Sequence, residues 1–369
     1  MTQPKYRAAI IGTGRMGGLI EDELDTNQFS SPYGHFNAYC AIAETEVVAV
    51  ANRGQQRLQR FSQRFGCTNT YLDYREMITR EKPDIVSVTT PSFARAEPII
   101  FAAENGVRGI YAEKGLCASL AEADRIAAAC KANQVAFNWG AMRRHHDGFK
   151  QMRKAIAEGA IGEPRYALMY SYTDIIKHHP HTLDLVAMLL GDPAPRWVEG
   201  RLVQPGEFLG ADADKRPRAF PPYDAEKHAF VPPPGEEIAD PMADFFRVGY
   251  ASGAEGHFIP MPGLFDIEVY GTGGRAYAWD NGELIRIRQA GRNGSSSDEK
   301  TIKPIGESPT ICTIRNIIRQ LETGEQTAGN IDITMQAVET QFGLAHSHLL
   351  DGARVELPIE DRSLYIPGG

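Results

Sequence analysis

Six residues near the amino terminus have the types and spacing to hold a dinucleotide. Gly12-Thr13-Gly14-Arg15-Met16-Gly17 fits Gly-x-Gly-x-x-Gly directly after an apolar, strand-like segment. Gly12 makes the tight turn, Gly14 lets backbone approach a pyrophosphate, and Gly17 lets a following helix pack close to the strand. The N–H groups at the start of that helix would face the phosphates. In this arrangement an acidic residue usually ends the second strand about 20 residues further on and holds the adenosine ribose diol. Here the second strand ends at Asn52-Arg53, and 52 − 17 = 35. An insertion over residues 21–35, containing Ser31-Pro32-Tyr33-Gly34, accounts for the excess. Asn52 has no charge to repel a 2′-phosphate, and Arg53 is able to pair with one. The chemistry leans toward NADP; with Arg53 turned to solvent the cofactor is NAD.

Three further clusters carry polar chemistry. Lys177-His178-His179-Pro180-His181 invites a metal reading. Adjacent histidines diverge, however, and no cysteine or paired carboxylate completes a conventional site, so no metal is expected. Arg143-Arg144-His145-His146-Asp147 is read as the start of the second domain and as substrate-pocket lining. His346-Ser347-His348 lies in an apolar helical pattern and reads as packing or surface. Neither a Gly-x-Ser-x-Gly elbow nor a Walker pattern occurs. The five cysteines are scattered, with no Cys-x-x-Cys pair. This fits reduced thiols in a cytoplasmic protein, and the strand-like start at 6–11 leaves no room for a signal peptide.

The elements that must position these residues fall into two textures. Up to about residue 140, short apolar runs at 8–11, 47–51, 85–89, 109–112 and 135–139 read as buried parallel strands. Helical patterns at 55–65, 93–105 and 120–132 lie between them. Strand–helix alternation predicts a doubly wound parallel sheet, a Rossmann domain over 1–140. Beyond it, helices at 147–158 and 181–190 accompany strand-like runs at 164–172, 197–203, 245–251, 257–259, 265–270, 276–279 and 283–288. Strands this dense without helices between them suggest a mostly antiparallel sheet. Helices return at 309–322 and 331–350, so 141–369 reads as an α+β substrate-binding and oligomerisation domain. Residues 205–240 read as a long surface loop, a lid or an oligomer arm, and 291–297 as a hairpin tip. With 39 basic and 47 acidic residues the net charge is 39 − 47 = −8. No basic tract or bilayer-length apolar stretch occurs, which argues against nucleic-acid and membrane partners.

Several segments together resemble one family, that of glucose–fructose oxidoreductase, inositol dehydrogenase and the rhizopine-catabolism proteins (Gfo/Idh/MocA). Thr90-Pro91-Ser92 is similar to its Thr-Pro-Asn stretch, and Glu113-Lys114-Gly115 to its Glu-Lys-Pro motif. Asn138 through Arg143-Arg144 resembles its segment after the sixth strand. His181-Thr182-Leu183-Asp184 is similar to its His-x-x-Asp helix, and Tyr270-Gly271-Thr272-Gly273-Gly274 to its second-domain strand end. The resemblance implies an NAD(P)-dependent oxidoreductase acting on a sugar, sugar derivative or cyclitol, assembled as a homodimer or homotetramer. It implies Lys114 as the catalytic lysine, contacting both cofactor and substrate, and His181 as the group that takes the alcohol proton. Asp184 either orients that imidazole or pairs locally. Thr90, Pro91 and Glu113 join the cofactor site, and Arg144 joins Lys114, Lys177 and His181 at the substrate.

The sequence departs from the pattern at three positions. Gly115 replaces the proline, a histidine expected after Thr-Pro is replaced around Arg95, and Lys177 stands where an acid often precedes the histidine. An amine near Lys114 would lower either pKa by like-charge repulsion and create a base, or would bind an anionic substrate; alternatively, Lys177 points outward. The base reading suits a second function, in which retained NAD oxidises a sugar transiently during elimination, epimerisation or glycoside cleavage. A nucleotide-sensing regulator is the third reading, and retention of Lys114 and His181 argues against it.

Overall fold

A computed structural model describes residues 5–23, 31–203, 222–231, 240–291, 296–302, 304 and 306–368. The first part of the chain alternates β1 (Tyr6–Ile11), α1 (His35–Cys40), β2 (Thr45–Ala51), α2 (Gln55–Phe65), β3 (Thr70–Tyr71) and α3 (Tyr74–Glu81). It continues through β4 (Ile85–Val88), α4 (Ala96–Glu104), β5 (Gly109–Ala112), α5 (Leu120–Ala132) and β6 (Ala136–Trp139). The six strands pair in parallel in the order β3-β2-β1-β4-β5-β6. This doubly wound order reverses beside β1 and opens a crevice at the carboxyl ends of the strands. Every residue of β4, β5 and β6 is buried, which is why they read as continuous rather than alternating apolar runs.

The segment after the glycines differs from the continuous helix the pattern predicts. Arg15–Leu19 forms one wide turn and Ile20–Asp22 one tight turn; the next helix is α1, beyond the insertion. The insertion is held against these turns. Glu21 Oε1 accepts from the N–H groups of Tyr33 and Gly34 at 2.6 and 2.7 Å. A β-carbon at Gly34 would fall 2.9 Å from the Gly18 Cα, so the two segments meet backbone to backbone.

The chain then runs through α6 (Asp147–Ala157), β7 (Pro164–Tyr170), α7 (His179–Leu190), β8 (Pro195–Leu202), β9 (Tyr223–Asp224) and β10 (Ala229–Phe230). Five more strands follow: β11 (Ala243–Tyr250), β12 (Glu255–Ile259), β13 (Asp266–Gly271), β14 (Gly274–Trp279) and β15 (Leu284–Ala290). β16 (Ser296–Ile302), α8 (Pro309–Thr323), α9 (Ile331–Leu349) and β17 (Val355–Glu356) complete it. A nine-stranded sheet has the order β16-β15-β14-β13-β7-β12-β11-β8-β17, antiparallel throughout except for the parallel β7–β12 pair. Its strands alternate in the half-buried manner. Ala167, Met169, Val248, Phe258, Ile267 and Val269 are buried, whereas Tyr166 and Phe245 are exposed.

Two compact units result: 1–117 with 122–145 and 307–334, and 118–121 with 146–306 and 335–369. The sequence places its boundary at 140, but α8 returns to the first unit. Ile311, Ile314, Ile317 and Ile318 share one core with Tyr6, Ile10, Tyr39, Ile85 and Tyr111. Each buried isoleucine contributes roughly 1.5–3 kcal/mol. Gly109 makes room for this helix, since a β-carbon there would lie 2.6 Å from Ile317 Cγ2. Within the expected loop over 205–240, residues 222–231 form the β9–β10 hairpin. Most of the rest of that loop, and 292–295 of the expected tip at 291–297, lie outside the described residues.

Candidate active site

In the first unit the glycine loop has the geometry that a pyrophosphate needs. Gly12 sits at φ +108°, where an L side chain is strained, and its β-carbon would meet Thr89 Oγ1 at 2.5 Å. A β-carbon on Gly17 would fall 2.3 Å from the Gly12 carbonyl oxygen, so turn and strand end touch there. A β-carbon on Gly14 would meet nothing within 4 Å. Open space over bare backbone is what phosphate oxygens require, and the loop therefore fits a dinucleotide. Thr13 is buried and accepts a 2.6 Å hydrogen bond from Asn52 Nδ2, while Asn52 Oδ1 accepts from the Gly54 N–H at 3.2 Å. Asn52 thus fastens the end of β2 to the glycine loop. Arg15 and Arg53 are exposed and Met16 half-buried; Arg15 pairs with Glu23 at 2.5 Å.

The ends of β1, β4 and β5 come together beside this loop. Thr89 donates from its N–H to the Ile11 carbonyl and from its hydroxyl to the Gly12 carbonyl, both at 2.8 Å. The Glu113 N–H reaches the Val88 carbonyl at 3.0 Å. Lys114 follows, half-buried, on the carboxyl-terminal side of β5. Thr90 donates to the Ala94 carbonyl at 3.0 Å, and Pro91 is exposed. Arg95 is buried, and its guanidinium donates to the carbonyls of Thr90, Glu113 (2.7 Å) and Gly115. One cation therefore ties the loop after β4 to the loop after β5. Burial lowers the Arg95 pKa to about 10, with Glu113 opposing, so it stays charged at neutral pH.

Glu113 is itself buried and bridges two partners. Its Oε1 lies 3.1 Å from His35 Nε2, and its Oε2 accepts from the Lys114 N–H at 3.2 Å. His35 Nδ1 lies 2.8 Å from Ser87 Oγ, which also contacts the Tyr39 hydroxyl at 2.9 Å. Burial pushes the Glu113 carboxyl up, but the His35 contact and the charges of Lys114 and Arg95 outweigh it and hold the group below its ordinary 4.5. Sequence reasoning missed His35, which it left at the edge of an insertion, and saw Arg95 only as a departure. Arg144 is buried, and its N–H reaches the Ala141 carbonyl at 3.3 Å.

In the second unit His181 and Asp184 are both buried on α7, Pro180 lies in its first turn, and Gly191 closes it in the left-handed conformation. His179 is a core histidine: Nδ1 pairs with Thr182 Oγ1 at 2.8 Å, and its ring meets Phe246 and Phe258 edge-on. Burial lowers its pKa to about 3, so it is neutral. Lys177 is exposed. Its N–H donates to Asp240 Oδ2 at 2.7 Å, and the Ile176 N–H reaches both Asp240 oxygens at 3.0 and 3.1 Å. Asp174 Oδ1 contacts His178 Nδ1 at 2.7 Å. Desolvation, then Asp174, push the Asp240 carboxyl well above its ordinary value, against the two amide donors and the Lys177 charge. Two carboxylates thus surround the segment before His181, and the sequence reading identified neither.

A doubly wound domain with an open glycine loop, followed by a large mixed sheet, defines a Rossmann-type α/β architecture with a candidate dinucleotide site. Residues 6–140 match the model of the Gfo/Idh/MocA oxidoreductase family, which describes an NAD-binding Rossmann fold. It is 25% identical over 203 residues to myo-inositol 2-dehydrogenase of Thermotoga maritima, covering 55% of this chain and 50% of that protein. It is 29% identical over 163 residues to 2,7-anhydro-N-acetylneuraminate hydratase of Mediterraneibacter gnavus, covering 38% and 43%. The chain thus spans half or less of the curated relatives it matches here. Levoglucosan dehydrogenase, solved with NADH and L-sorbose, shares the fold with a TM-score of 0.75 at 18% identity, over 96% of this chain and all of that one. Among the described residues no helix is long and apolar enough to cross a membrane.

Proposed function

We propose that this protein is an NAD(P)-dependent oxidoreductase acting on a hydroxyl or keto carbon of a sugar, sugar derivative or cyclitol. The observation that carries the reading is the convergence of the open Gly14 loop with the Glu113-Lys114 segment, locked by Arg95, at the carboxyl ends of adjacent strands. Gly12 through Gly17, Asn52, Arg53, Thr90, Pro91, Glu113 and Lys114 would hold the dinucleotide, which supplies a hydride acceptor or donor when bound. Lys114 binds the substrate hydroxyl, and its cation stabilises developing alkoxide charge. His181 takes the hydroxyl proton during oxidation and returns it during reduction. Asp184, one helical turn on, orients that imidazole. Lys177 and Arg144 bind the polar or anionic part of the substrate. The exposed Arg53 and uncharged Asn52 favour NADP over NAD.

A second reading has one specific support. Lys177 stands where an acid is expected, its N–H is held by Asp240 and the neighbouring His178 by Asp174, and one relative is a hydratase. A redox-neutral reaction through transient oxidation would use such an extra proton-transferring group. Turnover without net change in nicotinamide absorbance separates the two readings. The exposed Tyr166 and Phe245 on the nine-stranded sheet support self-association as a homodimer or homotetramer, and the scattered free cysteines support a cytoplasmic location.

The test is a panel of polyols, aldoses, sugar acids and glycosides with both cofactors, followed by His181→Ala on the best substrate. Turnover should fall about 10²–10⁴-fold, the range for loss of a positioned acid/base, with dinucleotide affinity unchanged. Normal turnover in that variant would overturn the role of His181.

A further inference from the structure

A second constellation lies elsewhere in the second unit, at the carboxyl-terminal end of α9. His228, His346 and Asp361 each present one ligand atom, and the three atoms lie within 4.8 Å of one another. They come from the β9–β10 turn, from α9 and from the carboxyl-terminal segment, positions 118 and 15 residues apart along the chain. We propose that they form a site for a divalent transition-metal ion of the zinc type, which ties the hairpin to α9 and to the carboxyl-terminal segment.

Each ligand is aimed by its surroundings. His228 Nε2 lies 2.8 Å from Asp361 Oδ2, and its other ring nitrogen contacts the Tyr223 hydroxyl at 2.6 Å. A partner on the second nitrogen is what fixes tautomer and ring orientation in metal-bound histidines. The His228 backbone sits at φ +47°, unusual for a residue with a side chain, and its carbonyl accepts from the Tyr365 N–H at 3.1 Å. Phe230 returns a bond to the Tyr365 carbonyl at 2.9 Å, so the strained residue is held on both sides. Asp361 Oδ1 is occupied by the Ser363 N–H and hydroxyl at 2.9 and 2.7 Å, which leaves Oδ2 toward the histidines. His346 Nε2 is buried and makes no hydrogen bond among the described residues.

The support extends one layer further. Glu339, two turns before His346 on α9, accepts from Arg362 and from the Ile359 N–H, at 2.6 to 2.7 Å. This anchors the segment carrying Asp361 and neutralises the neighbouring Arg362. Zinc–ligand bonds of about 2.0–2.2 Å place tetrahedral ligand atoms about 3.3 Å apart, between the 2.8 Å contact and the 4.8 Å limit. Two imidazoles and one carboxylate suit zinc and its neighbours better than calcium or magnesium, and the fourth position would take water.

The experiment uses the full-length, untagged protein stripped with a chelator and titrated with zinc by calorimetry, with cobalt as an absorbing substitute. One equivalent should bind, raising the thermal midpoint reversibly. Asp361→Asn, at an exposed position, and His346→Ala should each weaken binding at least about tenfold. Both should leave dinucleotide affinity unchanged. Absence of stoichiometric zinc binding to the wild-type protein would overturn the site. So would Asp361→Asn binding zinc as tightly as wild type.

Discussion

The strand ends of the first unit and the entrance to α7 in the second handle buried charge in opposite ways. At the strand ends Glu113 sits between His35, Arg95 and Lys114, so its ionised form is favoured although it is buried. At the α7 entrance Asp240 faces Asp174, and its neutral form is favoured. The first arrangement makes a rigid platform with a fixed charge pattern. The second holds a carboxyl pushed toward its neutral form against the backbone of the segment before His181. A platform suits holding a cofactor, and a carboxyl held toward its neutral form is a proton donor.

Glu113→Gln attacks the platform and should have the largest effect. It removes the buried carboxylate that His35 contacts and that offsets the Arg95 charge, and loss of such a buried charged hydrogen bond costs about 1.5–3 kcal/mol. Chemical denaturation should register it as a lower midpoint for the first unit. The wild-type protein should also lose this contribution in acid. Glu113 is held below its ordinary 4.5, so the stabilisation is present above that pH and fades as pH falls through the lower native value. The variant should show no such acid-side loss.

His179→Phe tests the interior behind the α7 segment. The wild-type ring has a pKa of about 3 against an ordinary 6.5. Its contribution is complete above pH 6.5 and declines toward pH 3, by at most about 1.4 kcal/mol per pH unit. Phenylalanine, stacked near Phe246 and Phe258, should flatten the stability–pH curve over that window. A variant as acid-sensitive as wild type would mean that another group sets the slope. The smallest effect belongs to Asn52→Ala. Losing the Thr13 bond should cost about 1 kcal/mol, read by thermal unfolding.

The same contrast explains what the sequence made legible. The glycine loop, the Glu113-Lys114 segment and the parallel strands were readable because each is local: three glycines within six residues, or apolar runs bounded by turns. The role of Arg95 was not, because its acceptors are backbone carbonyls that meet only after β4 and β5 pair. His35 was hidden for a related reason: it lies 78 residues from Glu113, behind an insertion that breaks the expected helix. Asp240 lies 63 residues from Lys177, and α8 carries an amphipathic pattern that fits either unit equally well. Lys177 was singled out, yet its side chain is exposed, and the acidic groups around its backbone are what the sequence could not bring together.

The central claim is that the glycine loop binds a nicotinamide dinucleotide, and Gly14→Val tests it most directly. A β-carbon at Gly14 meets nothing within 4 Å of the protein itself, so the variant should fold normally while its side chain occupies the space reserved for the pyrophosphate. Calorimetric titration of wild type and variant with NAD and NADP should show one-to-one binding for the first and none for the folded second. Equal affinity in a folded Gly14→Val protein would contradict the account.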